Sequence, residues 1–217
     1  MKKSKVVFSL LLCVLLCLSI VLTSCDRKYD EAEVKAAAES LMKNAEKLNT
    51  VYYGRGIAYI MGGAQNGAYY EADPMHLRTL GFTNINGLVE LTEKTFTKSY
   101  SAKLIRDRLQ EMRVDGVMIE PARYYQNYED ELLTEEVCIM VYSGITPIFD
   151  DRMTVDYSSM TVTGSKRDKV FVTVSVTVAN IDGETQEKTL EITLIEEDDG
   201  WRIDNPVFKN YTNVSVE

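Results

Sequence analysis

Histidine occurs once in the 217 residues, at His76, and that scarcity excludes more chemistry than any other feature of the composition. A Ser-His-Asp triad or a multi-histidine zinc site has a single imidazole to draw on, and no H-E-x-x-H is present. In "DPMHLR" the ring can serve as a lone base, but a solvent-facing or structural histidine is the simpler reading. The chain also lacks a G-x-S-x-G elbow. Ser40 and Lys43 match S-x-x-K by letter alone, without the S-D-N and K-T-G partners of that chemistry. Gly54 and Gly56 are followed by Tyr59 where a dinucleotide fingerprint needs its third glycine, and no Gly-Lys-Ser/Thr follows. In "EEDDGWRID" an EF-hand would need oxygen ligands at Ile195 and Pro206, which have none to give. The carboxylate pairs Glu71 with Asp73 and Glu129 with Asp130 read as solvated surface. Nothing in the sequence calls for a metal or a cofactor.

Cysteine is nearly as scarce. Of four, Cys13 and Cys17 lie in an apolar leader, Cys25 ends it, and Cys138 stands alone in "VCIMVY". After loss of the leader no intramolecular disulfide is available, so stability must come from packing, and Cys138 reads as a small core hydrophobe.

The leader carries Lys2, Lys3 and Lys5, then an apolar run from Val6 to Leu22 that is short for a membrane span, which takes about 20 residues. It ends on Leu22-Thr23-Ser24-Cys25, which resembles the lipobox of bacterial lipoproteins. That resemblance implies a signal peptide over 1–24, diacylglycerol on the Cys25 sulfur, and attachment to the extracytoplasmic face of the cell membrane. An uncleaved N-terminal anchor is the alternative. Asp26 resembles a signal for inner-membrane retention where a cell has two membranes.

Processing takes 3 of the 24 basic residues and none of the 33 acidic ones, moving the formal charge from −9 to 21 − 33 = −12. An anion of this size repels phosphate backbones and excludes nucleic acid as a partner. Residues 25–217 suffice for one domain of ordinary size.

Val34, Ala38, Leu41, Ala45 and Leu48 recur at helical spacing and predict a helix over Asp30–Leu48, close behind Cys25. Further helices are expected over Asn84–Phe96 and from Ser99 or Ser101 to Met112, with a serine as N-cap. After Pro121 the pattern turns to strands: "ARYYQNY", "EEVCIMVYS", "RMTVDYSSMTV", and then Val170, Val172, Val174, Val176 and Val178 in strict alternation. Asp-Gly turn signals in "IDGE" and "EDDGW" bracket a strand with Leu190, Ile192 and Leu194 on one face, and Trp201, Ile203 and Phe208 complete the sheet. The expected class is α+β, with a helical part to about 120 packed on one face of a curved antiparallel meander over 121–217.

Between Val51 and Pro74 five glycines and five tyrosines break any period and read as loop with short extended pieces. Tyr52, Tyr53, Tyr59, Tyr69 and Tyr70 either pack beneath that loop or form a recognition surface, with His76 beside them.

"LRTLGFTNINGLVELTEKTFTKSYSAKLIRDRL", residues 77–109, resembles bacterial DL-endopeptidase inhibitor proteins: a short strand ending in a Leu-Gly step, then two helices. "TLEITLIEEDDGWRIDNPVF", residues 189–208, is similar to the last hairpin of that family and of the wider cystatin-like, nuclear transport factor 2-like fold. The resemblance implies a non-catalytic envelope protein that binds a wall-associated protein or peptide and inhibits a wall hydrolase. The same fold also implies an alternative, a small-ligand or enzymatic site in the cone between sheet and helices.

Overall fold

The computed structural model describes residues 29–115, 117–127, 138–145, 153–179 and 184–204. Cys25, the "IDGE" turn and Phe208 lie outside the described residues.

The first helix, α1 (Glu31–Tyr52), starts where the sequence places it. Asp30 is the N-cap, its carboxylate accepting the amide of Ala32 at 2.8 Å. The helix runs one turn past Leu48 because Val51 and Tyr52 prolong the buried stripe of Val34, Ala38, Leu41, Ala45 and Leu48. After it come β1 (Gln65–Asn66), β2 (Tyr69–Glu71) and α2 (Pro74–Leu80). Helix α2 was not expected. Its signals are nonetheless in the letters: Asp73 caps it, Pro74 opens it, and Gly81, at φ 96°, closes it in the left-handed region. The Leu80-Gly81 step therefore ends a helix, and the short strand implied by the inhibitor resemblance is corrected here.

Helices α3 (Ile85–Thr95) and α4 (Lys98–Leu109) follow the expected ranges closely. Asn84 caps α3, accepting from Gly87 N at 2.8 Å. No serine caps α4. Its Lys98 amide meets the Glu197 carboxylate at 3.2 Å, while the Ser101 hydroxyl donates to Thr92 and Phe96 carbonyls. Met112 opens a strand instead of closing the helix, in a ribbon of β3 (Met112–Val114) and β4 (Val117–Glu120).

The remaining strands are β5 (Tyr124–Asn127), β6 (Cys138–Tyr142), β7 (Met153–Lys166), β8 (Lys169–Ala179), β9 (Thr185–Glu197) and β10 (Gly200–Ile203). The class is mixed α+β with antiparallel sheets, but the strands divide differently from the single meander expected. β7, β8, β9 and β10 form one meander, whereas β5 and β6 join the early strands in a second sheet of order β1-β2-β6-β5. Strands at 65–71 and 112–120 thus precede residue 121 and interrupt the helical part.

The valine alternation on β8 works as period two requires. Val170, Val172 and Val174 face Leu194, Ile192 and Leu190 across the ladder, and all six are 0–1% exposed. Helix α1 lies over this face and touches β7 and β10. Each such aliphatic side chain contributes about 1.5–3 kcal/mol by leaving water. At the β10 edge, Phe96 bridges Ile203 in parallel and Thr97 N donates to the Ile203 carbonyl at 3.0 Å, so the turn between α3 and α4 covers that edge. Arg202, buried, donates to the Glu93 carbonyl near the end of α3 and pairs with Asp199 at 2.6 Å.

One polar contact joins α1 to β7. The Tyr157 hydroxyl donates to Glu46 Oε2 at 2.7 Å, and Lys43 lies 5.2 Å from the same ring. Burial pushes the Glu46 carboxyl above its ordinary range, more than Tyr157 and Lys43 lower it. A folded chain that holds this proton more tightly than the unfolded one loses stability as pH rises from the ordinary carboxylate range through the folded-state pKa. Glu46→Gln, which retains an acceptor for Tyr157, is expected to flatten that stretch of a melting-temperature profile and raise the melting point at neutral pH.

Candidate functional site

The second sheet and the arm leading into it hold the region singled out by its tyrosines. The arm begins where α1 ends, and its root is clamped from β5. Tyr124, fully buried, donates its hydroxyl to the Val51 carbonyl at 2.7 Å and accepts the Ile57 amide at 3.2 Å. Burial raises its phenol to about 12, so it stays a donor. Beside it, the buried Arg123 guanidinium donates to the carbonyls of Val51 at 2.8 Å and Gly54 at 3.2 Å. A helix C-terminus leaves its last carbonyls without helical donors and carries partial negative charge, which is why a cation is stable there. Gly56 turns the chain at φ 83°, and any Cβ on it would stand 2.6 Å from the Tyr124 oxygen.

Beyond Gly56 the arm folds on itself. Tyr59 bridges Ala72, Ile60 N donates to the Glu71 carbonyl, and Gln65 and Asn66 of β1 pair with Tyr70 and Tyr69 of β2. Glu71 ties the inner turn through its carboxylate, which accepts Ala64 N at 3.1 Å. Strand β2 then pairs with β6, setting Tyr69 opposite Tyr142. The segment is loop with short extended pieces, as expected, and those pieces pair with one another into a β-arm.

The five tyrosines do not form one site. Tyr52 is 1% exposed and bonds Thr92 at 2.7 Å, tying α1 to α3, and Tyr53 lies buried against Tyr100 and the Arg108 guanidinium. Both are core residues. Tyr59 and Tyr70 stack at 5.0 Å and 25°. Tyr69 turns to the opposite side of β2, where it meets Tyr125 edge-on at 4.8 Å and Tyr142 at 5.4 Å and donates to the Ala122 carbonyl. Burial, then the nearby Glu111, raises the Tyr69 phenol. His76 belongs to the arm's root: its Nδ1 accepts the Ala58 amide at 2.8 Å.

The exposed part of the arm combines the polar Gln65 and Asn66 of β1 with an apolar turn. Met61 is 89% exposed at its outer turn, with Tyr59 and Ile60 each at 38%, and Met75, on the first turn of α2, stands 67% exposed. Ile60, Met61 and Met75, together with Tyr125 and Tyr142, are what sequence reasoning missed. A usable signal for the first two is an Ile-Met pair directly before Gly62-Gly63, since turn tips are ordinarily polar.

The one imidazole is held as a backbone acceptor, and among the described residues no three His, Cys, Asp or Glu side chains cluster as a metal site would require. An open surface cleft of about 610 Å³ lies where α2 meets α3, lined by Arg78, Phe82, Asn84 and Glu90; neither His76 nor any of the five tyrosines lines it. Two amides of the first turn of α3 are already taken, Ile85 N by Gln126 and Gly87 N by Asn84. No protein-family model matches the chain, and neither a curated protein nor a solved structure matches it.

Proposed function

We propose that the chain is a lipid-anchored, non-catalytic binding protein of the bacterial cell envelope. It is held at the extracytoplasmic face by diacylglycerol on Cys25 and uses the arm at 58–73 to contact a wall-associated protein. The observation that carries this reading is the turn at 60–63 of the arm: Met61 at 89% exposure beside Ile60, on an arm that is hydrogen-bonded and clamped at its root, with Met75 exposed on α2. Ordered backbone presenting adaptable apolar side chains loses little entropy when a partner covers them.

Position supports it as well. α1 begins six residues after Cys25 and, at 22 residues, spans about 33 Å, with the arm at its far end. An upright domain therefore sets the arm's root about a helix length away from the anchor. One long helix over a four-stranded antiparallel meander supports a cystatin-like ground plan, to which the arm and second sheet are additions. Inhibition of a wall hydrolase is the form of binding we favour, by occlusion: the tip occupies the enzyme's cleft while the acidic surface speeds encounter with a basic rim. The small-ligand alternative draws no such support, because the sheet face that would have to open is covered by α1 and by side chains 0–1% exposed.

Affinity capture from envelope extracts, with the wild-type soluble domain beside an arm variant, tests the reading, followed by a hydrolase assay on the captured enzyme. Enrichment that depends on the arm, with slowed lysis, is the expected result. Equal recovery by both proteins and unchanged lytic rates contradict it.

A further inference from the structure

We propose that His76 is a pH-operated latch on the arm: the neutral ring holds Ala58, and a protonated ring releases it. The inference deepens the reading of the arm as a contact element and rests on it.

The bond in question is Ala58 N to His76 Nδ1, 2.8 Å, in which the imidazole is the acceptor. That role requires an unprotonated Nδ1, with the ring proton on Nε2. Once Nδ1 gains a proton the ring has two donors and no acceptor, so an N–H faces an N–H and the ring must turn away. Ala58 is the residue immediately before the exposed Tyr59, so the loosening falls on the strand that leads to the apolar turn. A second bond, Asp73 N to the Ala58 carbonyl at 2.8 Å, has no titrating partner and keeps the arm attached. Release is thus a local loosening between two fixed ends, the clamp of Tyr124 at Ile57 and the pairing of Ile60 with Glu71.

The charged groups on the elements that meet here do not compete for the ring. The Asp73 carboxylate accepts Met75 N, the Glu71 carboxylate accepts Ala64 N, and Arg55 and Arg78 stand exposed at the arm's root and on α2. Among the described residues His76 forms no ion pair. It is also the chain's sole histidine.

The test is hydrogen exchange on the full chain at about pH 8 and about pH 5, corrected for intrinsic rates with the β8–β9 amides as internal standard. In the wild type, the Ala58 amide is expected to lose about fivefold in protection on acidification, the equivalent of one ordinary hydrogen bond, while the Ile60 amide, paired with Glu71, holds. His76→Asn places an amide oxygen near the Nδ1 position without a titrating proton, and its protection is expected to be unchanged by pH; His76→Ala is expected to be poorly protected at both. Equal pH response in wild type and His76→Asn, or an Ala58 amide fully protected in His76→Ala, overturns the latch. Because the readout needs no partner, absence of a captured protein contradicts the proposed function and leaves this result standing.

Discussion

Gly56→Ala is expected to lower stability by about 2–4 kcal/mol, a large fraction of the roughly 5–15 kcal/mol that a domain has in total. Two costs combine. A left-handed backbone costs a residue with a Cβ about 1–2 kcal/mol. The new methyl would also stand 2.6 Å from the Tyr124 oxygen and 3.1 Å from Ile145 Cδ1, and Tyr124 cannot retreat without giving up both Ile57 N and the Val51 carbonyl. Each of those bonds contributes about 0.5–1.5 kcal/mol, more if a buried group is left bare. Gly67→Ala is the matched control: its φ is 58°, but nothing lies within 4 Å of the added carbon, so only the backbone cost of about 1 kcal/mol applies. Chemical denaturation of the two variants measures the difference, and equal losses would show that the close approach to Tyr124 carries no energy.

The paired change Ile60→Asp with Met61→Asp is expected to cut capture of the envelope partner about thirtyfold or more, the effect of losing one central anchor of an interface. Both side chains project from a turn, so the unfolding free energy should move by no more than about 0.5 kcal/mol. Lys94→Ala, which breaks an exposed ion pair with Glu90 on α3, should change neither quantity. Thermal melts alongside the capture assay separate loss of contact from loss of fold. Undiminished capture by the arm variant would place the contact elsewhere on the molecule.

What the sequence made legible was local. The β8 alternation, the α1 stripe and the extent of α3 each follow from residues a few positions apart, and the structure places all three as expected. The division of strands into two sheets was not legible, because β2 finds its partner β6 about seventy residues away and no period records that choice. The buried Arg123 and Arg202 show the same limit. Composition assigns such cations to the surface, yet helix ends brought to them by the tertiary fold supply carbonyl acceptors. The tyrosines were misgrouped for a related reason. Tyr69 and Tyr70 are neighbours in the chain, but on a strand they point to opposite faces, so one joins Tyr125 and Tyr142 and the other stacks on Tyr59. Knowing that 69–71 is a strand would have separated them.

Every envelope role proposed above depends on how the chain is held, and intact mass of the protein isolated from its own cells tests that most directly. Expected is a polypeptide that begins at Cys25 and carries the added mass of a diacylglycerol on it. Recovery of a chain that retains residues 1–24 and bears no lipid would contradict the anchoring, and with it the placement of the arm's root relative to the membrane.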